Sequence, residues 1–231
     1  MPASGGAGES VITDGVRRLL RQVLGQGEEG TPVSETSSAP LLRRSNGLRE
    51  FWSGIQGIEH EAILDLGGAS QSNLSFITNR GFKLYAEDLF EAAFRPPLPS
   101  KPNGKPQVSE EERFFGENCN YSQGQFSGIL CWDIFDFLPE SVVKQFADNL
   151  FYFLKPGGYL LAFFHTGSPG EEVPLCQYRI RAEDSLEVTA KNTIGLRRNF
   201  NNRAIENLFR QYSSLKFYLS RDKLREVIIV R

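Results

Sequence analysis

Apolar runs that fit buried strands alternate along this chain with segments whose apolar residues recur at helical spacing. Three runs are apolar on both faces: Ala62 to Leu66, Ser127 to Cys131 and Tyr159 to Phe164. Strands of this kind belong to a parallel sheet that helices cover on each side. Between the second and third runs, Pro139 opens a helical pattern that Lys155-Pro156-Gly157-Gly158 ends. The alternation therefore predicts an α/β fold.

The segment from Ile63 to Glu91 contains the clearest pattern of strand, turn, helix and strand. Its first strand carries Asp65 and ends at Gly67 and Gly68, and its second strand ends at Asp88. Glycines directly after a buried strand let the backbone approach a ligand at the start of the following helix. An acid at the tip of the next strand, about 20 residues on, accepts hydrogen bonds from ribose hydroxyls. The segment therefore predicts a nucleoside-binding site.

The glycine turn indicates which kind of nucleoside fits. A dinucleotide site requires G-x-G-x-x-G, so that a pyrophosphate can lie at the helix N-terminus. Here the turn reads Gly67-Gly68-Ala69-Ser70-Gln71, with no third glycine and no phosphate-binding lysine. A ligand that has a ribose but no phosphate fits this turn better.

At these residues the chain resembles the class I (Rossmann-like) S-adenosylmethionine-dependent methyltransferases, whose first motif ends in D-x-G-x-G-x-G. Asp65, Gly67 and Ala69 fall on the acid and the first two glycine positions, although Ala69 and Gln71 depart from the second and third glycines. Phe126 to Phe164 resembles the family's later pattern, which ends in L-K-P-G-G one helix after a Leu-Pro pair. The resemblance implies a three-layer α/β sandwich with a mostly parallel seven-stranded sheet whose last strand is antiparallel.

The resemblance also implies a set of residues that bind S-adenosyl-L-methionine. These candidates are Asp65, Gly67, Gly68, Ala69, Asp88, Glu117, Asn118 and Trp132. Asp88 would hold the ribose, and either Glu117 or Asn118 would bind the adenine amino group; the sequence leaves that choice open, and either residue could instead cap a turn. Trp132 would pack against the methionine or adenine portion of the cofactor, or else belong to the core.

Two residues are candidates for a catalytic base. Methyl transfer from a sulfonium is an in-line displacement, so positioning and exclusion of water matter most, and a base helps only some acceptors. The resembled fold places Asp133, just past the fourth strand, and His165, at the end of the fifth, near the methyl group. His165 titrates near neutral pH if unperturbed, although beside Thr166 it could be a turn residue. Asp136 and Phe137 stand where many small-molecule members have Glu-His.

Residues 1–46 differ in composition from the methyltransferase-like domain that we assign to residues 47–231. They are rich in Gly, Ser, Pro and acids, which indicates disorder around one basic amphipathic helix from Thr13 to Leu24. That helix would cover the domain, or alternatively bind a partner or an acidic membrane surface. A second short helix, Gly47 to Gly54, would pack beside the first strand.

The other segments predict a loop and further strands. A proline-rich stretch from Ala92 to Val108 would be a substrate-side flap or a tolerated insertion, followed by a weak third strand from Arg113 to Phe115. The C-terminal elements are a hairpin of Cys176 to Arg181 with Leu186 to Thr189, a helix from Asn202 to Tyr212, and a strand pair of Leu215 to Leu219 with Leu224 to Val230. The hairpin would cover the ligand edge of the sheet. Arg197, Arg198 and Arg203 would meet an anionic acceptor or form a solvated face.

The composition of the chain limits the classes of partner and the compartment that we expect. With 231 residues, 40% of them apolar, the chain can bury a large core. A net charge of −2 argues against a nucleic acid held through its phosphates. The three cysteines are dispersed and match neither a disulfide framework nor a zinc pattern, so we expect a reducing cytoplasm and no metal. No apolar stretch approaches the roughly 18 residues of a membrane span, and no signal peptide is apparent.

The sequence-based hypothesis is an S-adenosylmethionine-dependent methyltransferase with a small-molecule acceptor. Two alternatives belong to other classes: a catalytically silent S-adenosylmethionine-binding partner or scaffold, and a nicotinamide-dependent oxidoreductase. The departures at Ala69, Gln71 and Phe137 motivate the first alternative. Neither the acceptor nor the oligomeric state follows from the sequence.

Overall fold

The computed structural model describes residues 39–57, 61–90, 115–116, 120–220 and 222–231. Its strands are β1 (Leu41–Arg44), β2 (Ala62–Asp65), β3 (Lys83–Ala86), β4 (Phe126–Trp132), β5 (Leu154–His165), β6 (Glu172–Ala182), β7 (Ser185–Gly195), β8 (Ser214–Leu219) and β9 (Leu224–Val230). Its helices are α1 (Asn46–Gly54), α2 (Gln71–Thr78), α3 (Glu140–Phe153) and α4 (Asn202–Leu208), with a 3₁₀ turn at Ile134–Asp136. All of these residues fall within one of the chain's two compact units.

The main sheet has the order β3-β2-β4-β5-β9-β8. The first four strands are parallel, so β2, β3, β4 and β5 all point their carboxyl ends to one edge. β9 runs antiparallel to β5 and pairs with β8, which confirms the predicted antiparallel end of the sheet. Six strands are present among the described residues where seven were expected. Of the expected third strand only Phe115 is described, and its backbone is helical.

Helices cover both faces of the main sheet, as the apolar strands predicted. All seven residues of β4 are buried, and so is β5 from Leu160 to His165. One core cluster lies between the sheet, α3 and α4. The other lies between the sheet, α1, α2 and the strands that follow β5. The close approach of α1 depends on Gly128, because a Cβ there would lie 2.6 Å from the ring of Phe51.

A second, antiparallel sheet has the order β1-β7-β6. The predicted hairpin is present and longer than expected, since its strands extend to Glu172 and Gly195 around a turn at Glu183 and Asp184. Alternation along β6 buries Tyr178 and Ile180, as the pattern predicted. Residues 41–44, which we had placed in the N-terminal segment, form β1 and pair with β7.

Two boundaries differ from the prediction. Lys155-Pro156-Gly157-Gly158 does not separate helix from strand, because α3 passes directly into β5 at Leu154 and the four residues form an irregular start of that strand. This irregular start, where the pairing of β5 with β4 changes register, is possible because Gly157 adopts a φ of 75°. α4 ends at Leu208, four residues before the predicted Tyr212.

Several predicted features lie outside the described residues. They are the helix from Thr13 to Leu24, the loop from Ala92 to Val108 and the adenine-binding candidates Glu117 and Asn118. Within the part of the chain that is described, no helix has the length and apolar character needed to cross a membrane.

Candidate functional site

The glycine turn lies where β2 ends, at the carboxyl edge of the parallel strands. Gly68 has a φ of 83°, which disfavours any residue with a side chain. Its backbone N–H donates to the carbonyl of Glu87 at 3.0 Å, and Gly67 forms an isolated bridge with Asp88. The turn is therefore bonded to the tip of β3, and the residue after it, Ala69, is exposed.

Asp88 is an exposed carboxylate held against this turn. A Cβ on Gly68 would lie 2.9 Å from its Oδ2. The structure thus brings the acid at the end of the second βαβ strand to the glycine turn, as the sequence predicted. This adjacency follows from parallel neighbours, because the carboxyl ends of β2 and β3 meet at the same edge.

Asp65, in contrast, is buried and its hydrogen bonds are all made to the chain itself. Its Oδ1 accepts from the Trp132 indole Nε1–H at 2.7 Å and from the Gly67 backbone N–H at 3.1 Å. Its Oδ2 accepts from the Asn73 side-chain amide at 2.7 Å. Burial raises the pKa of Asp65, and the bonds from Trp132, Asn73 and Gly67 oppose that rise. The carboxylate therefore organises the turn and the start of α2.

Trp132, the last residue of β4, lies directly on the glycine turn. A Cβ on Gly67 would be 2.6 Å from the indole Cδ1, so only glycine leaves room for this ring. The indole is fully buried and stacks on Tyr178 of β6, with ring centroids 5.1 Å apart and planes 9° from parallel. Trp132 adopts a φ of 52°, an unusual value for a bulky side chain, with a cost of roughly 1 to 3 kcal/mol. Such strain is concentrated at functional sites.

Asp133 lies one residue beyond Trp132 and is fully buried. Tyr178 donates its hydroxyl to Asp133 Oδ2 at 2.8 Å. Oδ1 of the same carboxyl has no hydrogen-bond partner among the described residues. Burial raises the pKa of Asp133 to about 7, against the opposing effects of His165 and the Tyr178 hydroxyl. A carboxyl with this pKa can both accept and release a proton near neutral pH.

His165 ends β5 and pairs with Asp136 of the 3₁₀ turn. Its backbone N–H donates to Asp136 Oδ2 at 2.7 Å, and its Nδ1 lies 2.9 Å from the same oxygen. Burial alone would lower the pKa of His165, but the bond to Asp136 and the charges of Asp133 and Asp136 outweigh it and raise that pKa. Burial raises the pKa of Asp136, which the two bonds from His165 oppose. The neighbours of His165 thus favour its protonated form.

Sequence reasoning missed two residues of this arrangement, Tyr178 and Asn73. Asn73 is buried in the first turn of α2, where its side chain bonds Asp65, the Tyr178 carbonyl and the Ile180 N–H. An Asn on the buried face of a predicted helix was a usable signal, because a buried amide requires partners. Tyr178 had no such signal, since an aromatic residue in an alternating strand is indistinguishable from ordinary core.

Of the three arginines suggested for an anionic acceptor, Arg198 lies near enough to Asp136 for its charge to lower the pKa of that carboxyl. Arg197 and Arg203 are exposed. Arg198 donates to the carbonyl of Leu138 at 2.9 Å and lies 3.1 Å from the Glu140 carboxylate, at the start of α3.

A parallel α/β sheet with an antiparallel last strand, a glycine turn after its first parallel strand and an acid at the neighbouring strand tip defines a Rossmann-like methyltransferase fold. The family model described as "Methyltransferase domain" matches residues 38–212. The chain therefore belongs to this methyltransferase family, and S-adenosyl-L-methionine is its cofactor.

Three of the solved structures to which the chain is similar are described as methyltransferases. One is the 1,6-didemethyltoxoflavin-N1-methyltransferase of Burkholderia thailandensis, at 11% identity and a TM-score of 0.46, covering 80% of this chain and 76% of that one. Another is an S-adenosylmethionine-dependent methyltransferase of Methanosarcina mazei, at 16% identity and a TM-score of 0.42, covering 74% and 92%. The glycopeptide N-methyltransferase MtfA with bound S-adenosylmethionine matches at 14% identity and 0.42, covering 86% and 99%. No curated protein matches the sequence.

The residues at the turn fit the two ends of S-adenosylmethionine differently. At Gly68 the exposed Asp88 carboxylate can accept hydrogen bonds from sugar hydroxyls. At Gly67 the space beside the backbone is taken by the Trp132 indole, and Asp65 has its donors already. The turn thus presents an exposed carboxylate at Gly68, whereas the space beside Gly67 is filled by the chain's own side chain.

Proposed function

We propose that this chain transfers a methyl group from S-adenosylmethionine to a small-molecule acceptor. The observation that carries the proposal is the Asp88 carboxylate, exposed beside the Gly68 turn at the carboxyl edge of β2 and β3. Together with the family match, this arrangement supports a site for an adenosyl group. The net charge of −2 favours a small acceptor over a nucleic acid, and the dispersed cysteines favour a cytoplasmic location.

In this proposal each residue at the turn has a separate role. Asp88 accepts hydrogen bonds from the ribose, and Gly67, Gly68 and Ala69 form the backbone turn beneath the cofactor. Asp65 holds the turn and can take a cationic group. Glu117 or Asn118 would bind the adenine, and that choice remains open.

S-adenosylmethionine supplies a methyl group already activated by its sulfonium. The chain's own residues have to position the acceptor, exclude water and, where the acceptor is protonated, remove its proton. We assign proton removal to Asp133, because its Oδ1 has no partner among the described residues and its pKa is raised by burial to about 7. His165 is the second candidate, but its pairing with Asp136 favours the protonated ring, which is a poor base. We assign to His165 the electrostatic support of the Asp133 carboxylate.

A catalytically silent S-adenosylmethionine-binding protein is the second candidate function. The observation that favours it is the indole of Trp132, which covers Gly67 and donates to Asp65. Binding without turnover would be consistent with a filled crevice. The nicotinamide alternative has no comparable support, because the turn lacks the third glycine of a dinucleotide site.

Calorimetry on the full chain tests the proposed function. We expect S-adenosylhomocysteine and S-adenosylmethionine to bind and NAD not to bind. Binding of NAD without S-adenosylhomocysteine would instead indicate an oxidoreductase.

A label-transfer assay separates the enzyme from the silent binding protein. The full chain is incubated with methyl-labelled S-adenosylmethionine and pooled small amines, phenols and carboxylic acids. We expect label in one acceptor class and its loss in Asp133→Asn. Cofactor binding with no transfer to any pool would favour the silent protein.

A further inference from the structure

Two aromatic side chains from different sheets meet over the glycine turn. Trp132 ends β4 of the main sheet, and Tyr178 lies in the middle of β6 of the small sheet. Their rings stack 5.1 Å apart and nearly parallel, and both side chains are buried. We refer to Trp132 and Tyr178 together as the aromatic pair.

Each member of the aromatic pair donates a hydrogen bond to a buried carboxyl group. The Trp132 indole N–H donates to Asp65, and the Tyr178 hydroxyl donates to Asp133. The two carboxyl groups lie at the carboxyl ends of neighbouring parallel strands, β2 and β4. Buried carboxylates need donors, and an ammonium or hydroxyl of a ligand would satisfy them as well as these side chains do.

The position of the indole also matters sterically. The space that Gly67 leaves by lacking a Cβ is filled by the indole, whose Cδ1 and Nε1 would lie 2.6 and 2.7 Å from such an atom. Gly68, next along the turn, faces the carboxylate of Asp88, whose atoms are the nearest to a Cβ built there. A ligand that binds Asp88 through its ribose and extends past Gly67 must therefore contact Trp132.

Hydrogen bonds between α2 and β6 hold the pair in place. Asn73 accepts from the Ile180 N–H at 2.7 Å and donates to the Tyr178 carbonyl at 3.2 Å. The hydroxyl of Ser72 donates to the Ile180 carbonyl at 2.7 Å. These bonds fix β6 against the first turn of α2, so Tyr178 cannot move far unless this contact opens.

We propose that the aromatic pair is an internal plug, and that the amino-acid arm of S-adenosylmethionine competes with the Trp132 indole for Asp65 and for the space beside Gly67. The proposal rests on the proposed function, because it requires that the nucleoside bind at Asp88. In the closed form the indole occupies the space beside Gly67. The apparent affinity for the whole cofactor is then the intrinsic affinity multiplied by the fraction of molecules that are open. A nucleoside without the arm, such as adenosine, does not have to displace the indole.

Nitrogen-15 NMR on the wild-type chain tests displacement directly, without any variant in the crevice. The chain has two tryptophans, so it gives two indole N–H signals, and Trp52→Phe assigns them. We expect S-adenosylhomocysteine to shift the Trp132 indole signal strongly, because the bond to Asp65 breaks, and adenosine to shift it little. An unchanged Trp132 signal at saturating S-adenosylhomocysteine would overturn the plug and leave the proposed function intact.

Calorimetry on Trp132→Ala tests competition by affinity. We expect S-adenosylhomocysteine to bind at least tenfold more tightly than to wild type, and adenosine to bind within about threefold of wild type. Trp52→Phe, a change in the α1 core away from the turn, should alter neither affinity. Equal affinities of Trp132→Ala and wild type for S-adenosylhomocysteine would contradict the plug but not the proposed function. If neither protein binds either ligand, both the plug and the proposed function are wrong.

Discussion

Two carboxylates near the glycine turn, Asp65 and Asp88, have opposite surroundings. Asp65 is buried and bonded to Trp132, Asn73 and Gly67, whereas Asp88 is exposed beside Gly68. Both were predicted from the same βαβ segment, Asp65 from its first strand and Asp88 from the tip of its second. Burial assigns Asp65 a role in organising the turn and leaves Asp88 as the carboxylate that a ligand can reach.

We expect Asp88→Ala to weaken binding of S-adenosylhomocysteine by about 1 to 3 kcal/mol, because charge-assisted hydrogen bonds to the ribose are lost. Calorimetry on the full chain measures this change. Asp148→Ala, which removes a carboxylate from α3 on the other face of the sheet, is the matched control and should bind as wild type does. Unchanged affinity in Asp88→Ala would refute the ribose assignment.

We expect Asp133→Asn to reduce the pH dependence of stability. The pKa of Asp133 is raised by burial from 3.8 to about 7, so its favourable contribution is complete below about pH 4 and is lost as the pH rises through 7. Between pH 5 and pH 8 the wild type should lose about 2 to 3 kcal/mol more unfolding free energy than the variant does, since one pKa unit corresponds to about 1.4 kcal/mol.

Urea unfolding at the two pH values measures this difference. The other groups with a raised pKa nearby, His165 and Asp136, remain in both proteins, but the substitution also removes the Asp133 charge that helps to raise the pKa of His165. Asp148→Asn, a carboxylate paired with Lys144 near the surface, should follow the wild type. Parallel pH profiles for Asp133→Asn and wild type would show that Asp133 is already ionised in the folded chain at pH 5.

Helix α1 begins at a cap that also joins it to the far end of the chain. The hydroxyl of Ser45 accepts from the Leu48 N–H at 3.0 Å and donates to Glu226 of β9 at 2.9 Å. Glu226 also accepts from the Gly47 N–H at 2.6 Å and pairs with Arg43 at 2.6 Å. The sequence indicated the helix but not this connection, because the partners lie about 180 positions apart.

We expect Ser45→Ala to lower the unfolding free energy by about 2 kcal/mol, because it removes both a helix cap and a hydrogen bond to a buried carboxylate. The matched control is Asn201→Ala, which removes the exposed N-cap of α4 alone and should cost about 1 kcal/mol or less. Denaturant unfolding of the two variants gives the comparison. A smaller loss in Ser45→Ala than in Asn201→Ala would show that the Glu226 bond contributes nothing.

Asn73 is one of the buried side chains that join the two sheets. Its amide bonds a carboxylate at the end of β2 and two backbone groups of β6. We expect Asn73→Ala to destabilise the chain by about 3 to 5 kcal/mol, because three buried polar groups lose their partner. Asn207→Ala, an exposed site on α4, should change stability by less than about 0.5 kcal/mol.

Thermal and urea unfolding of these two variants measure the difference. We expect the Asn73→Ala loss to appear as a lower transition midpoint of the whole molecule, since the amide connects main sheet and small sheet. If Asn73→Ala unfolds like Asn207→Ala, the contact between the sheets does not depend on this amide.

The alternation of strands and helices from β2 to β5 and the adjacency of Gly68 and Asp88 followed from the sequence alone, whereas β1 and the backbone at Phe115 did not. Apolar runs on both faces of a strand require a covered parallel sheet, and consecutive parallel strands place their carboxyl ends side by side. These consequences are local, because each depends on residues within one βαβ unit. The hairpin of β6 and β7 was predictable for the same reason, since alternation and a short turn lie within about 25 residues.

Only the tertiary structure decided what covers the turn. Trp132 meets Asp65 across 67 positions, and Tyr178 meets Asp133 across 45. Periodicity shows that a residue is buried but not which side chain it contacts, and an aromatic residue at the end of a buried strand has the same pattern whether it fills a core or a crevice. The packing of β6 against α2 turns these two ordinary core positions into the lining of the candidate cofactor site.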